Sequence, residues 1–333
     1  MAELPRVALI FTGGTIDSVG ADRLDLAWYI EHGQRLEDGE LVARVPELAS
    51  VARVEEIPFR RLPSQSIGDA DLFALVETIH QLFREGRADG IVITHGTNTL
   101  EETAYFLHLT LRTDRPVVLV GSMRPSSGLS ADGELNLLNG VRVAGDPASR
   151  GMGVLVVLND TIHSARDVTK TATYRTDTFQ GRDLGPLGFA DNDGRVVYYH
   201  RPTRPHTAAT EFDLSSLTEL PRVDVVVSYL GADGVMIDAA VAAGARGIVS
   251  AGTGAGRPTP AEDAALARAA EAGILICQGT RVGSGRTVRS PGLRKRGWVA
   301  ADNLQPWKVR ILLRLALATT SDPDEVQRMV DTY

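Results

Sequence analysis

Short, β-branched apolar runs recur along this chain, separated by amphipathic stretches of helical length, and that alternation admits few folds. Val7 to Phe11, Gly90 to Thr94, Val117 to Val120 and Val154 to Leu158 read as strands. Near-continuous apolar runs of this length suit parallel strands covered on both faces. Between them, Ala70 to Arg84, Thr99 to Leu111 and Leu135 to Ala144 carry apolar residues at helical spacing. The pattern predicts an α/β fold in which helices cover a parallel sheet.

The texture changes from Gly181 to Pro221. Gly, Pro, Asn and Asp cluster there, and a hairpin-like Asn192-Asp193-Gly194 turn precedes Val196-Val197-Tyr198-Tyr199. This stretch reads as the connection between two domains. Strands resume at Val223 to Tyr229, Gly247 to Ala251 and Ile274 to Gln278, with helices between. Asp322-Pro323-Asp324-Glu325 carries the N-cap, first-turn proline and acidic first turn of a final helix. The expected division is a catalytic domain over residues 1–200, a linker over 201–220 and a smaller α/β domain over 221–333. In the larger domain a parallel or mixed sheet would have helices on both faces.

With 333 residues, 43% of them apolar, the chain can bury a full core. Its net charge of -7 and scattered basic residues, apart from Arg294-Lys295-Arg296, give no footprint for nucleic acid. A small molecule is the expected partner. The single cysteine, Cys277, lies in an apolar run, so neither an intrachain disulfide nor a cysteine metal site is expected. None of the seven histidines sits in a spaced ligand pair, and no metal or other cofactor is expected. The opening residues, Met1 to Arg6, lack the regions of a signal peptide, and no apolar stretch approaches membrane-spanning length. Those features predict a cytoplasmic protein that stays off membranes.

Two strand ends carry groups suited to chemistry. The first strand runs into Thr12-Gly13-Gly14-Thr15-Ile16-Asp17, where a glycine pair lets the backbone turn sharply between two threonines. Such a turn can present a hydroxyl beside bare amide donors. A threonine nucleophile needs a nearby base and donors for the oxyanion it creates. A phosphate cradle or plain turn chemistry fits the same spacing, although no third glycine completes the dinucleotide fingerprint. The second segment, His95-Gly96-Thr97-Asn98-Thr99-Leu100-Glu101-Glu102-Thr103-Ala104, sets another hydroxyl between strand and helix. Thr99 with Glu102 has the pattern of a capping box, which starts the helix there. In open α/β sheets, ligands bind at such carboxyl ends of strands.

Taken together, the two segments resemble the signature motifs of the bacterial asparaginases. The resemblance covers nearly the whole chain. It includes Val120 to Ser126, Asn159-Asp160-Thr161, Ala165 to Thr171, part of Gly181 to Pro186, Gly231-Ala232-Asp233, Gly247 to Gly252 and the helix from Lys308 to Leu317.

The resemblance implies a threonine amidohydrolase, acting on L-asparagine and releasing ammonia through an acyl-enzyme. Thr15 matches the family's nucleophile, and Tyr29 matches the tyrosine that hydrogen-bonds it. Thr97 matches the second catalytic threonine, and Lys170 matches the lysine paired with it for proton relay. A lysine serves there only if burial lowers its pKa. Ser64 and Gln65 match the binders of the substrate carboxylate, with Gly96 beside them and Gly14 in the nucleophile turn. Asn98 falls at the ammonium pocket, and Ser122 stands where a backbone carbonyl meets the departing nitrogen. The resemblance also implies a homotetramer, a dimer of dimers in which each site is completed by its neighbour.

Three positions depart from the family at the pocket for the substrate's α-ammonium. Asn98 replaces an aspartate, Ala255 replaces an asparagine, and residues 287–299 contain no acid where the neighbour's glutamate is expected. A neutral amide there removes a favourable charge pair. Asp17 is a candidate to restore the acid, and Arg289, Arg294 or Arg296 to favour an anionic group instead. The sequence therefore leaves open the same chemistry on an amide without a free ammonium, and a non-catalytic binding protein of this fold. The presence of Thr15, Thr97 and Lys170 together speaks against the second.

Overall fold

A computed structural model describes residues 3–215 and 217–333. The chain forms two compact units, Met1–Ala209 and Thr210–Tyr333.

Eight strands build the sheet of the first unit: β1 (Arg6–Phe11), β2 (Arg53–Pro58), β3 (Gly90–Thr94), β4 (Val117–Val120), β5 (Val154–Leu158), β6 (Thr161–Ser164), β7 (Gly188–Ala190) and β8 (Val196–Tyr198). Their order is β8-β7-β6-β5-β4-β3-β1-β2. The five strands from β5 to β2 are mutually parallel, and β6, β7 and β8 pair antiparallel. Three long helices cover this sheet: α1 (Asp69–Arg84), α2 (Leu100–Thr110) and α3 (Gly133–Gly145).

Side chains of a strand alternate between faces, and here both faces are dry. Val7, Leu9, Phe11, Val92, Val118, Val120, Leu155 and Val157 pack with Leu137, Leu138 and Val141 of α3. The alternate residues Ala8, Ile10, Ile91, Ile93, Leu119 and Val156 are equally buried, and α2 packs on β5 with α1 against it. Double coverage accounts for the unbroken apolar runs in the sequence. At roughly 25 cal/mol per Å² of apolar surface removed from water, burial of these strands is the chief favourable contribution to this unit.

The second unit has four parallel strands, β9 (Val223–Val227), β10 (Gly247–Gly252), β11 (Leu275–Thr280) and β12 (Val299–Ala300), in sequential order. Helices α4 (Val235–Ala242), α5 (Pro260–Glu271), α6 (Pro291–Lys295), α7 (Pro306–Leu317) and α8 (Pro323–Thr332) surround them. Cys277 is wholly buried in β11, where desolvation pushes its thiol pKa up and leaves it unreactive. No helix among the described residues is long and apolar enough to cross a membrane.

Two local expectations are corrected. The stretch read as an interdomain connection contributes β7 and β8 to the main sheet, joined, as the hairpin-like pattern predicts, by the Asn192-Asp193-Gly194 turn with Gly194 at φ 84°. At the start of α2, Thr99 is the N-cap residue but makes no side-chain cap. Its hydroxyl instead donates to the carbonyl of Ser64 at 2.8 Å. A tertiary acceptor outcompetes the local one, and the bond ties a distant loop to the helix start.

Candidate active site

The chain leaves β1 for β2 on one side and returns to β3 on the other, so a topological switch point falls between β1 and β3. Their carboxyl ends carry Thr12 to Thr15 and His95 to Asn98, the two segments singled out in the sequence. The turns are held together by main-chain bonds. Both the amide and the hydroxyl of Thr12 donate to the carbonyl of Thr94, and the amide of Leu62 donates to the carbonyl of Thr12.

Gly14 and Gly96 explain why the turns can meet. Gly14 has φ 120°, and a Cβ there would lie 2.7 Å from Gly96 Cα. A Cβ on Gly96 would lie 2.7 Å from Ser64 Oγ. Side chains at either position would push apart the three segments that carry Thr15, Thr97 and Ser64. Beyond Gly14, residues Thr15–Asp17 form one 3-10 turn, with the amide of Asp17 donating to the carbonyl of Gly14.

Thr15 Oγ1 and Tyr29 Oη share a hydrogen bond of 2.8 Å. Tyr29 opens a one-turn helix, Tyr29–His32, and is 8% exposed while its neighbours Trp28 and Ile30 are 67% and 69% exposed. The loop therefore turns one aromatic inward, onto the threonine. Burial raises the Tyr29 pKa despite the bond to Thr15, which keeps the phenol neutral at ordinary pH.

Lys170 Nζ donates to Thr97 Oγ1 at 2.9 Å. Desolvation lowers the Lys170 pKa, and the charge of Glu101 opposes that shift. Ser64 Oγ is buried without a hydrogen-bond partner among the described residues. Asn98 Nδ2 donates to Gln65 Oε1 at 3.2 Å, joining two of the expected binding residues. The hydroxyl of Ser122 donates to the carbonyl of Arg124. This loop is braced by Asp132, whose carboxylate accepts from the amides of Met123 and Arg124.

The Asp17 carboxylate is matched by a cation of its own chain. It is 2% exposed and faces Arg35, with 3.6 Å between Oδ2 and Nη1. Desolvation raises its pKa, against the attraction of Arg35 and Arg61. Because a buried carboxylate without its cation is costly, Arg35→Met is expected to lower the unfolding free energy by about 3 kcal/mol at neutral pH. Urea denaturation measures it, and an unchanged midpoint would contradict the pairing. The native pKa is raised above the unfolded value. The penalty is therefore full above the native pKa, shrinks as pH falls through it, and vanishes below the unfolded pKa.

The basic segment of the second unit is likewise engaged at home. Arg289 pairs with Asp324 at 2.5 Å and donates to the carbonyl of Trp298. Arg296 forks onto Asp263 at 2.7 and 2.9 Å and lies over the Trp298 ring. These two arginines are held within their own unit, while Arg294 is exposed.

Sequence reasoning passed over Glu101 and Asp132. Glu101 is 6% exposed in the first turn of α2, and its Oε1 accepts from the amide of Lys170 at 3.0 Å and the hydroxyl of Thr169 at 3.1 Å. The available signal was an acidic residue among apolar ones on a helix with almost every position buried.

Comparison with known proteins agrees along the chain. The family model described as Asparaginase, N-terminal, matches residues 6–204, and that of the Glutaminase/Asparaginase C-terminal domain matches 222–330. L-asparaginase 2 of Escherichia coli (strain K12) is 43% identical over 332 residues, 99% of this chain and 94% of that protein. L-asparaginase 2 of Bacillus subtilis (strain 168) is 41% identical over 331 residues, 99% of this chain and 87% of that protein. The crystal structure of a probable cytoplasmic L-asparaginase from Campylobacter jejuni superposes with a TM-score of 0.94 at 39% identity, covering 99% of this chain and 100% of that one.

Proposed function

Since this chain belongs to the asparaginase family and is an asparaginase-type amidohydrolase, we propose that it converts L-asparagine to L-aspartate and ammonia through an ester on Thr15. The observation that carries this reading is the pair of hydroxyl contacts at one switch point, Thr15 with Tyr29 and Thr97 with Lys170. The Thr15 oxygen attacks the side-chain amide carbon, the C–N bond breaks, and the nitrogen leaves as ammonia after taking up a proton. Water then cleaves the ester, returning the Thr15 hydroxyl and a carboxylate.

Tyr29 orients the Thr15 hydroxyl for the first step. Lys170, with its lowered pKa, exchanges protons through Thr97 with water and the departing nitrogen. The unpaired Ser64 hydroxyl and Gln65 bind the substrate's carboxylate. An orphan buried donor costs about 1–3 kcal/mol, which a substrate acceptor offsets on binding. Assembly as a dimer of dimers belongs to the same proposal.

A second reading has support in Asn98, which is neutral and already donates to Gln65. On this reading the chemistry is unchanged, and the preferred amide lacks a free ammonium. Ammonia release from L-asparagine, D-asparagine, L-glutamine, N-acetyl-asparagine and succinamic acid separates the two. Fastest release from L-asparagine is the expected result. Release confined to N-acetyl-asparagine and succinamic acid would select the second reading, and no release from any of the five would overturn both.

A further inference from the structure

The contacts of Glu101 make a closed circuit. It lies four positions after Thr97, which is in the turn before α2. Its carboxylate oxygen accepts from the main-chain amide of Lys170, and the side chain of the same lysine returns to donate to Thr97. Lys170 sits on a two-residue strand, Thr169–Lys170, whose ladder partner is Phe179–Gln180. So short a strand has little register of its own. The bonds from Thr169 Oγ1 and Lys170 N to Glu101 therefore fix where the lysine starts and how far its ammonium reaches.

Charge points the same way. Lys170 is partly desolvated, and a lone ammonium there is unfavourable. From the turn it meets the neutral Thr97, across the ladder its partner is the neutral Phe179, and from α2 the carboxylate of Glu101 is the charge that acts on it. Upstream on its own segment, Arg166 and Asp167 pair with each other at 2.9 Å.

We propose that Glu101 is a positioning residue of the amide hydrolysis, anchoring the backbone of Lys170 to α2 and supplying the counter-charge that holds its ammonium against Thr97. The inference rests on the reading of Thr97 and Lys170 as the proton relay. It gives α2 two duties, since one helix start orients both members of that relay.

Glu101→Gln keeps an oxygen to accept from Lys170 N and removes the charge. With L-asparagine as substrate, kcat is expected to fall about 10- to 100-fold and KM to change less than about threefold. The limb of the pH profile that disappears in Lys170→Met is expected to move down by about one unit, because losing an opposite charge favours the neutral amine. An unmoved limb with near-wild-type kcat would overturn the proposal. If Glu101→Gln does not fold, Glu101→Asp decides: it keeps the charge but withdraws the oxygen, so the limb should stay while kcat falls about tenfold. Wild-type kcat in that variant would equally overturn it. Failure of the relay reading is separate, because it would appear as wild-type rates in Thr97→Val and Lys170→Met themselves.

Discussion

Thr15→Ala is expected to lower kcat by about 10⁴- to 10⁶-fold, the range in which loss of an essential nucleophile falls. The substitution removes the atom that would form the ester, and no neighbour replaces it, since Tyr29 is a neutral phenol whose raised pKa makes it a poor nucleophile. The fold should not notice. Thr15 lies in a 3-10 turn held by main-chain bonds, and the hydroxyl's bond to Tyr29 contributes on the order of 1 kcal/mol. Ammonia release under saturating L-asparagine, with the unfolding midpoint as a control, measures both. Residual activity within about tenfold of wild type would remove Thr15 from the mechanism. A fallen rate together with a collapsed midpoint would instead mark the turn as structural.

Tyr29→Phe is the milder companion. It leaves the ring in place and deletes one partner of a 2.8 Å bond, so the nucleophile persists but its orientation loosens. Its effect should lie well below that of Thr15→Ala, since attack geometry is one contribution among several.

The parts of this molecule legible in its sequence are those governed by local pattern. β3, β4 and β5 lie where unbroken apolar runs end at turn residues, because burial on both faces leaves no room for polar alternation. β2 escaped notice because it is an edge strand with one neighbour, and Glu55 and Glu56 interrupt its apolar texture. β7 and β8 lie among turn residues, where the hairpin-like Asn192-Asp193-Gly194 turn points to them but the surrounding Gly, Pro and Asp conceal that they extend the main sheet. The site residues were legible only as motifs. Spacing alone suggests that Gly13-Gly14 makes a turn, but not that Gly14 closes onto Gly96. The Thr99 hydroxyl, read as a local cap, and the Asp17 carboxylate, a candidate acid for the ammonium pocket, both turn to partners distant in sequence, Ser64 and Arg35. Short-range rules fail there because a tertiary partner is present that a linear reading cannot place.

Lys170→Met and Thr97→Val are each expected to lower kcat by about 10²- to 10⁴-fold, the span of a positioned proton-transfer group. Because the two side chains act through one 2.9 Å bond, the double variant should be little worse than either single one, and rates that multiply would argue for separate roles. Desolvation lowers the Lys170 pKa, so the neutral amine is more abundant near neutrality than in an exposed lysine. As a base toward water, it should give a rate that rises with pH through this lowered value, below the ordinary lysine range, and Lys170→Met should flatten that limb. Stability is expected to change less than turnover. Methionine fills similar space and removes the cost of a partly buried ammonium, which offsets the loss of the cation facing the buried Glu101, and Glu101 keeps its bonds from the residue-170 amide and Thr169, so the unfolding midpoint should stay near that of the wild type. A collapsed midpoint would assign Lys170 a structural role.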